Sequence, residues 1–256
     1  MNTVVCDLDG VIYIERTGIP GAGSALARLR KNGVDIVFVT NNSTKTAARV
    51  AADIEGATGF SADRSRIVTS GMATAHYLRG RVESVFVLGG DGLAATLRSA
   101  GVALVTDWAA AEAVVVGLDR ALSYDKLKAA TLAVRSGALF VATNLDATYP
   151  ADEGLYPGGG SIAAALETAS GISPVVCGKP YPPTRELVRS MVAPGRVVVV
   201  GDRPETDLAI AEAEGWEGVL VLSGVTPDAA AIAPAHTPDA VLGSIAELPG
   251  YLGFVS

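Results

Sequence analysis

The chain has 256 residues, 49% of them apolar, and a formal net charge of −7. That length can bury an ordinary core, or two, without metal or disulfide staples. The negative balance excludes binding to a polyanion by bulk charge, so no nucleic-acid partner is expected, and no apolar run reaches the ~18 residues that point to a membrane span.

The first apolar run, "TVVCDL", leads into Asp7, Asp9 and Gly10. It starts so close to the N-terminus that neither a basic stretch nor a cleavage-like site precedes it, and a cytoplasmic protein is expected. A helical pattern over 21–33 follows, then "DIVFVT", which ends in Thr40-Asn41-Asn42-Ser43. Next come "SVFVLG" before Gly90-Asp91-Gly92, "EAVVVG", a helical pattern over 124–137, and "ALFVAT" before Asn144-Leu145-Asp146. "PVVCG" leads to Lys179-Pro180, a helical pattern covers 184–192, "RVVVVG" precedes Asp202 to Asp207, and "GVLVLS" closes the series. Several helical stretches end in a glycine, where a C-cap wants one. The strand runs are continuous rather than alternating, as in strands covered on both faces. Strand–helix alternation predicts an α/β protein with parallel sheets. The number of units exceeds what one mononucleotide-type sheet holds, so two sheets are expected. Cys6 and Cys177 read as small apolar residues on buried strands.

In open α/β sheets, ligands bind beyond the carboxyl ends of strands. Each strand-end residue alone has an ordinary explanation as a turn or cap, and Thr206 reads as an N-cap for a helix beginning near Asp207. As a set, the acids, the hydroxyl–amide pair and the lysine supply what phosphoryl transfer needs. An aspartate can attack phosphorus. Mg²⁺ held by carboxylates offsets the repulsion between that aspartate and a phosphate dianion. A lysine adds positive charge, and a hydroxyl with backbone N–H groups binds the remaining oxygens. Strand alternation would aim Asp7 and Asp9 the same way, and Gly10 would let the chain turn closely under a phosphate.

With "DLDGV" at 7–11, "VTNNS" at 39–43, "GKP" at 178–180 and "GDRPETD" at 201–207, the chain resembles the haloacid-dehalogenase (HAD) superfamily of phosphatases. The resemblance implies a Rossmann-like parallel-sheet core with an inserted smaller α/β cap. It implies Asp7 as nucleophile and Asp9 as general acid/base. Gly10, Thr40, Asn41, Asn42 and Lys179 would hold the phosphoryl group. Mg²⁺ would sit on Asp7, the Asp9 carbonyl and Asp202, with Asp207 holding metal-bound water or orienting Lys179. The segment "ATNLDATYPADEGLYPGGGSIAAALE" resembles the cap of subfamily IIA, the nitrophenyl phosphatase and nucleotide phosphatase-like group. Leu145, where many relatives carry proline, is a departure that bears on local loop shape. The implied domains are a core of 1–80 with 177–256 and a cap of 81–176. The cap loop from Asn144 to Ser161 would select a small phosphorylated metabolite, with Asn144, Asp146, Tyr149, Glu153 and Tyr156 as candidates. Pairing through the cap leaves a homodimer open.

Two other readings compete. Gly90 to Ala95 matches a dinucleotide fingerprint, with Glu112 about twenty residues on, which would make an NAD-dependent oxidoreductase. A phospho-accepting receiver domain also uses Asp, Thr and Lys at strand ends. It needs a solitary acceptor Asp after a middle strand, which is not evident here. His76 and His236 lack an identifiable Ser or Cys partner and read as structural.

Overall fold

The computed structural model describes residues 2–151, 153–226, 228 and 236–254. The chain divides into two compact units: Met1–Thr40, Ala47–Val68 and Arg185–Ser256 form the first, and Asn41–Thr46 with Thr69–Thr184 the second.

In the first unit, β1 (Thr3–Cys6) leads into a small hairpin, β2 (Tyr13–Ile14) and β3 (Thr17–Gly18), then α1 (Ala22–Lys31), β4 (Asp35–Thr40), α2 (Ala47–Thr58) and β5 (Ile67–Thr69). Its sheet runs in the order β15-β14-β13-β1-β4-β5, completed by β13 (Val197–Gly201), β14 (Glu217–Val221) and β15 (Ala240–Leu242). The pairs from β4 through β1, β13 and β14 to β15 are all parallel. This is the doubly wound order, and its direction reverses between β1 and β13. Strand alternation explains why the runs are unbroken: Val4, Cys6, Ile36, Phe38, Val198 and Val200 enter one core, while Val5, Val37, Val39, Val197 and Val199 enter another. Both faces are covered, so a polar residue on either would lie buried. In α1, Ala22, Ala25, Leu26 and Leu29 lie buried at the spacing of one helical face.

The second unit carries its own parallel sheet, ordered β12-β9-β8-β6-β7. The strands are β6 (Ser84–Leu88), β7 (Ala103–Leu104), β8 (Ala113–Val116), β9 (Leu139–Ala142) and β12 (Val175–Val176). The expected runs "SVFVLG", "EAVVVG" and "ALFVAT" are thus β6, β8 and β9. The unit also holds α3 (Ser70–Leu78), α4 (Asp91–Ser99), α5 (Tyr124–Arg135) and α6 (Gly159–Ser170). Ala130, Ala133 and Val134 of α5 pack with Ile162, Ala163 and Leu166 of α6 and with strand residues such as Val114 and Phe140. Ser123 caps α5 by accepting from Lys126 N–H, and Gly137, at φ +104°, follows its end. Helix α7 (Pro182–Met191) leads back to the first unit, which adds α8 (Ala209–Glu214) and α9 (Leu248–Tyr251).

Three local expectations change. The Asn144–Ser161 stretch contains an antiparallel hairpin, β10 (Thr148–Ala151) and β11 (Gly154–Pro157), rather than an irregular loop. Its cross-strand partners Tyr149 and Tyr156 stack edge to face with centroids 5.9 Å apart, a pairing that period-2 reading missed because Pro and Gly interrupt it. Thr206 is no N-cap, since it lies inside a single π-helical turn, Pro204–Leu208. And β1 stops at Cys6, so Asp7 and Asp9 stand beyond the strand and strand alternation does not govern them.

Candidate active site

In the first unit the acids gather where the sheet order reverses. β1 and β13 are parallel neighbours with Cys6 beside Val200, and Asp7 N–H donates to Val200 O at 2.9 Å. Asp7 and Asp202 therefore leave adjacent strands at the same end of the sheet. Asp207 is brought in by the π-helical turn: its N–H donates to Arg203 O at 2.8 Å, and its Oδ2 accepts from Arg203 N–H at 3.1 Å. π-turns of this kind recur at functional sites. Carboxylate oxygens of Asp7, Asp202 and Asp207 lie within 4.8 Å of one another. The three residues are only 8%, 1% and 1% exposed. Two like charges about 4.8 Å apart repel by roughly 3.5 kcal/mol at an effective dielectric of ~20, a cost that a bound cation reverses. A buried, all-oxygen, carboxylate-rich donor set fits a hard divalent cation such as Mg²⁺.

Three glycines beside these acids leave no room for a side chain. A Cβ on Gly10, whose φ is +82°, would meet Asp202 Oδ2 at 2.3 Å; one on Gly224 would meet it at 2.0 Å, and one on Gly201 would meet Asp207 at 2.2 Å. Gly10 thus makes room for a carboxylate of its own protein. The loop after β14 completes the arrangement. Val225 N–H donates to Asp202 Oδ2 at 2.6 Å, and Ser223 Oγ donates to Gly10 O at 2.7 Å.

Asp9 is exposed, next to fully buried Leu8, and forms an isolated bridge with Tyr13. Gly10 N–H donates to Tyr13 O at 2.8 Å, closing this turn. Burial pushes the Tyr13 phenol well above its usual range, and the charges of Asp9, Asp53 and Asp7 push it further. Thr40, buried, is the last residue of β4, the other neighbour of β1.

The second unit holds the remaining candidates. Asn41 Oδ1 accepts from Lys179 N–H at 2.7 Å, and Asn41 Nδ2 reaches Lys179 O and Asp146 Oδ1, each at 3.4 Å. Asn144 Nδ2 and Ser70 Oγ both donate to Asn41 O, at 2.8 and 2.6 Å. Asn144 Oδ1 accepts from Asp146 N–H at 3.1 Å. Asn41, Asn144, Asp146 and the Lys179 backbone are therefore one network, with Lys179 only 6% exposed. Asn42 Oδ1 accepts from both the N–H and the hydroxyl of Thr44, at 2.9 and 2.7 Å, which makes it a turn-former. On the hairpin, Tyr156 donates to Glu153 Oε2 at 2.6 Å, and the Arg120 guanidinium lies 5.6 Å from the Tyr149 ring centroid.

The chain matches the family model for haloacid dehalogenase-like hydrolases over residues 4–103 and a HAD-hydrolase-like model over 176–248. It is 37% identical to a D-glycerol 3-phosphate phosphatase of Mycobacterium tuberculosis, over 98% of this chain and 69% of that one. The chain belongs to the haloacid dehalogenase-like hydrolases. Within that family it is a phosphatase of subfamily IIA. An acid sugar phosphatase of Staphylococcus aureus is 37% identical over 86% of both chains. A p-nitrophenyl phosphatase from Archaeoglobus fulgidus superposes with a TM-score of 0.91 at 32% identity, covering 97% of this chain and 98% of that one. A glycerol phosphate phosphatase from M. tuberculosis, solved in complex with magnesium, superposes with a TM-score of 0.86 at 36% identity, covering 96% and 75%.

In this HAD phosphatase the dinucleotide reading of Gly90 to Ala95 falls away. A Cβ on Gly92 would lie 2.0 Å from Thr44 O, so that glycine serves a close approach of α4 to the 44–45 backbone. Glu112, the supposed ribose ligand, accepts from Glu83 N–H at 2.7 Å. His236 lies 3.2 Å from Glu212 in an exposed pair, and Cys6 and Cys177 are buried free thiols. Among the described residues no helix is long and apolar enough to cross a membrane. Sequence reasoning missed Ser223, Gly224 and Val225. The Ser-Gly that ends "VLVLSG" is a signal for the first two, whereas Val225 acts through its backbone amide and carries none of its own.

Proposed function

We propose that this phosphatase is Mg²⁺-dependent and hydrolyses small phosphomonoesters in two steps through a phosphorylated Asp7. The observation that carries the reading is the buried cluster of Asp7, Asp202 and Asp207 at the point where the sheet order reverses. When bound, the cation supplies positive charge that lets a carboxylate approach a phosphate dianion; Asp7 and Asp202 would hold it, with the Asp9 carbonyl, and Asp207 would hold a metal-bound water.

In the first step an Asp7 carboxylate oxygen attacks phosphorus, a new O–P bond forms, and the ester O–P bond breaks. The leaving alkoxide takes its proton from Asp9. In the second step Asp9 takes a proton from water, that water attacks phosphorus, and inorganic phosphate leaves with Asp7 restored. Gly10, Thr40, Asn41 and Asn42 bind phosphoryl oxygens through side-chain or backbone groups, and Lys179 neutralises charge. The core of 1–80 and 177–256 carries this chemistry. The segment 81–176 selects the substrate through Asp146, Tyr149, Glu153 and Tyr156, with Asn144 holding their base. The substrate is a small phosphorylated metabolite of the polyol or sugar type, a class favoured by the names of the relatives. A cytoplasmic setting, where free thiols stay reduced, and a homodimer through the insertion belong to the same reading.

The test is phosphate release from a panel of small phosphomonoesters with Mg²⁺, ranked by kcat/KM. EDTA is expected to abolish turnover. Asp7→Asn is expected to remove it by more than about 10⁴-fold with the fold intact by circular dichroism, and Asp9→Asn to lower kcat by roughly 10²–10⁴-fold. Near wild-type release by Asp7→Asn would rule the mechanism out.

A further inference from the structure

The loop after β14 makes two contacts at the site, one with Asp202 and one with the Gly10 turn beside it. Val225 N–H donates to Asp202 Oδ2 at 2.6 Å, and Ser223 Oγ donates to Gly10 O at 2.7 Å. Gly224, between them, lies so close that a Cβ there would sit 2.0 Å from Asp202 Oδ2 and 2.7 Å from Asp202 Cβ. A Cβ on Gly10 would in turn meet Gly224 Cα at 2.9 Å. The two glycine backbones therefore enclose the Asp202 side chain, and the two hydrogen bonds link the loop to both sides of that enclosure. Asp202 itself is 1% exposed, so bulk water does not substitute for these contacts.

We propose that Ser223–Gly224–Val225 is a positioning element for the cation site: its backbone fixes the Asp202 carboxylate, and the Ser223 hydroxyl ties the Gly10 turn to it. The inference rests on the reading of the acid cluster as a divalent-cation site. A short hydrogen bond to one carboxylate oxygen stops the group from rotating about its Cβ–Cγ bond, so the direction of the other oxygen is set before the cation arrives. No side chain is needed for the main contact, since the donor is a backbone amide. That explains how an aliphatic residue, Val225, itself 56% exposed, stands against a buried acid of the site. The loop makes the Asp202 position depend on β14, while Asp202 itself follows β13, so the geometry is shared by two strands.

The experiment compares Val225→Pro, which removes the N–H, with Val225→Ala, which keeps it. Mg²⁺ affinity is read by isothermal titration calorimetry on the substrate-free protein, beside the Mg²⁺-induced rise in Tm and the Mg²⁺ dependence of kcat. Val225→Pro is expected to weaken Mg²⁺ binding by roughly 10–100-fold, the usual effect of losing a group that orients a metal ligand, with Val225→Ala within twofold of wild type. Ser223→Ala is expected to weaken it severalfold, with Ser223→Thr restoring it. A folded Val225→Pro variant that binds Mg²⁺ within twofold of wild type overturns the inference. So does a Ser223→Ala variant with unchanged affinity, should Val225→Pro not fold. A wild-type protein that takes up no Mg²⁺ overturns the reading of the site and the inference together.

Discussion

Two glycines with nearly the same backbone angle do different work. Gly10 has φ +82° and Gly33 has φ +75°, both in the left-handed region that costs a side-chain-bearing residue roughly 1–2 kcal/mol. Around Gly33 a Cβ would meet nothing within 4 Å, whereas on Gly10 it would sit 2.3 Å from Asp202 Oδ2. Gly33→Ala is therefore expected to lower Tm by a few degrees and leave phosphate release near wild type. Gly10→Ala is expected to lose Mg²⁺ binding and turnover by 10²-fold or more, because Asp202 must move. Thermal melts and phosphate release on the pair separate backbone strain from displacement of an acid. The same close packing surrounds Asp207, where Gly201 leaves no room for a side chain. A cluster of like charges is held together here by backbone that has been stripped of side chains.

Single elements set the position of these residues and carry their own chemistry. The hairpin of β10 and β11 is held by the Tyr149–Tyr156 pair, worth about 0.5–1.5 kcal/mol as an edge-to-face contact. Tyr149→Ala is expected to change the kcat/KM ratio between compact and bulky phosphomonoesters severalfold while Mg²⁺ affinity stays unchanged; an unchanged ratio would remove the hairpin from substrate selection. At the other end of the sheet from the acids, Arg196 grips Glu217 with two hydrogen bonds of 2.8 Å, and Tyr251 also donates to that carboxylate. Arg196 foremost holds the Glu217 carboxyl below its usual range against the opposing effect of burial, with a lesser contribution from Tyr251. A depressed folded-state pKa gives stability that is present above the unfolded-state value of about 4.3 and lost as pH falls through the folded one. Glu217→Gln is expected to be less stable than wild type at pH 7 by up to about 1 kcal/mol, since Arg196 is exposed and water screens the pair, with a smaller gap at pH 3. Urea denaturation at the two pH values reads this directly.

For the whole molecule, the net charge of −7 means that an anionic substrate is met by local devices and not by the general field. The cores explain another global property. Cys6 and Cys177 are both fully buried, and burial pushes the Cys177 thiol up to about 12. Reactive thiolate is scarce under such conditions. A thiol reagent at pH 8 is expected to label neither cysteine in the native protein and both after denaturation. Rapid labelling of the native state would show that the packing around one of the two thiols opens.

The fold class was written in the sequence because unbroken Val-rich runs such as "VVVV" at 197–200 can only be buried on both faces. Short strands such as Ile67–Thr69 and Ala240–Leu242 were not legible, since two or three residues carry no period. The order of Asp7, Thr40, Lys179 and Asp202 along the chain marked the family, because phosphoryl transfer needs those residue types together. Which strands are neighbours was decided only by tertiary structure. Asp7 and Asp202 are far apart in sequence, and β-sheet pairing of β1 with β13 puts them side by side. The π-turn that delivers Asp207 and the amide of Val225 that orients Asp202 left no mark in residue chemistry. Both act through backbone, which every residue shares, so local sequence determines the acids but only the packed sheet determines their spacing.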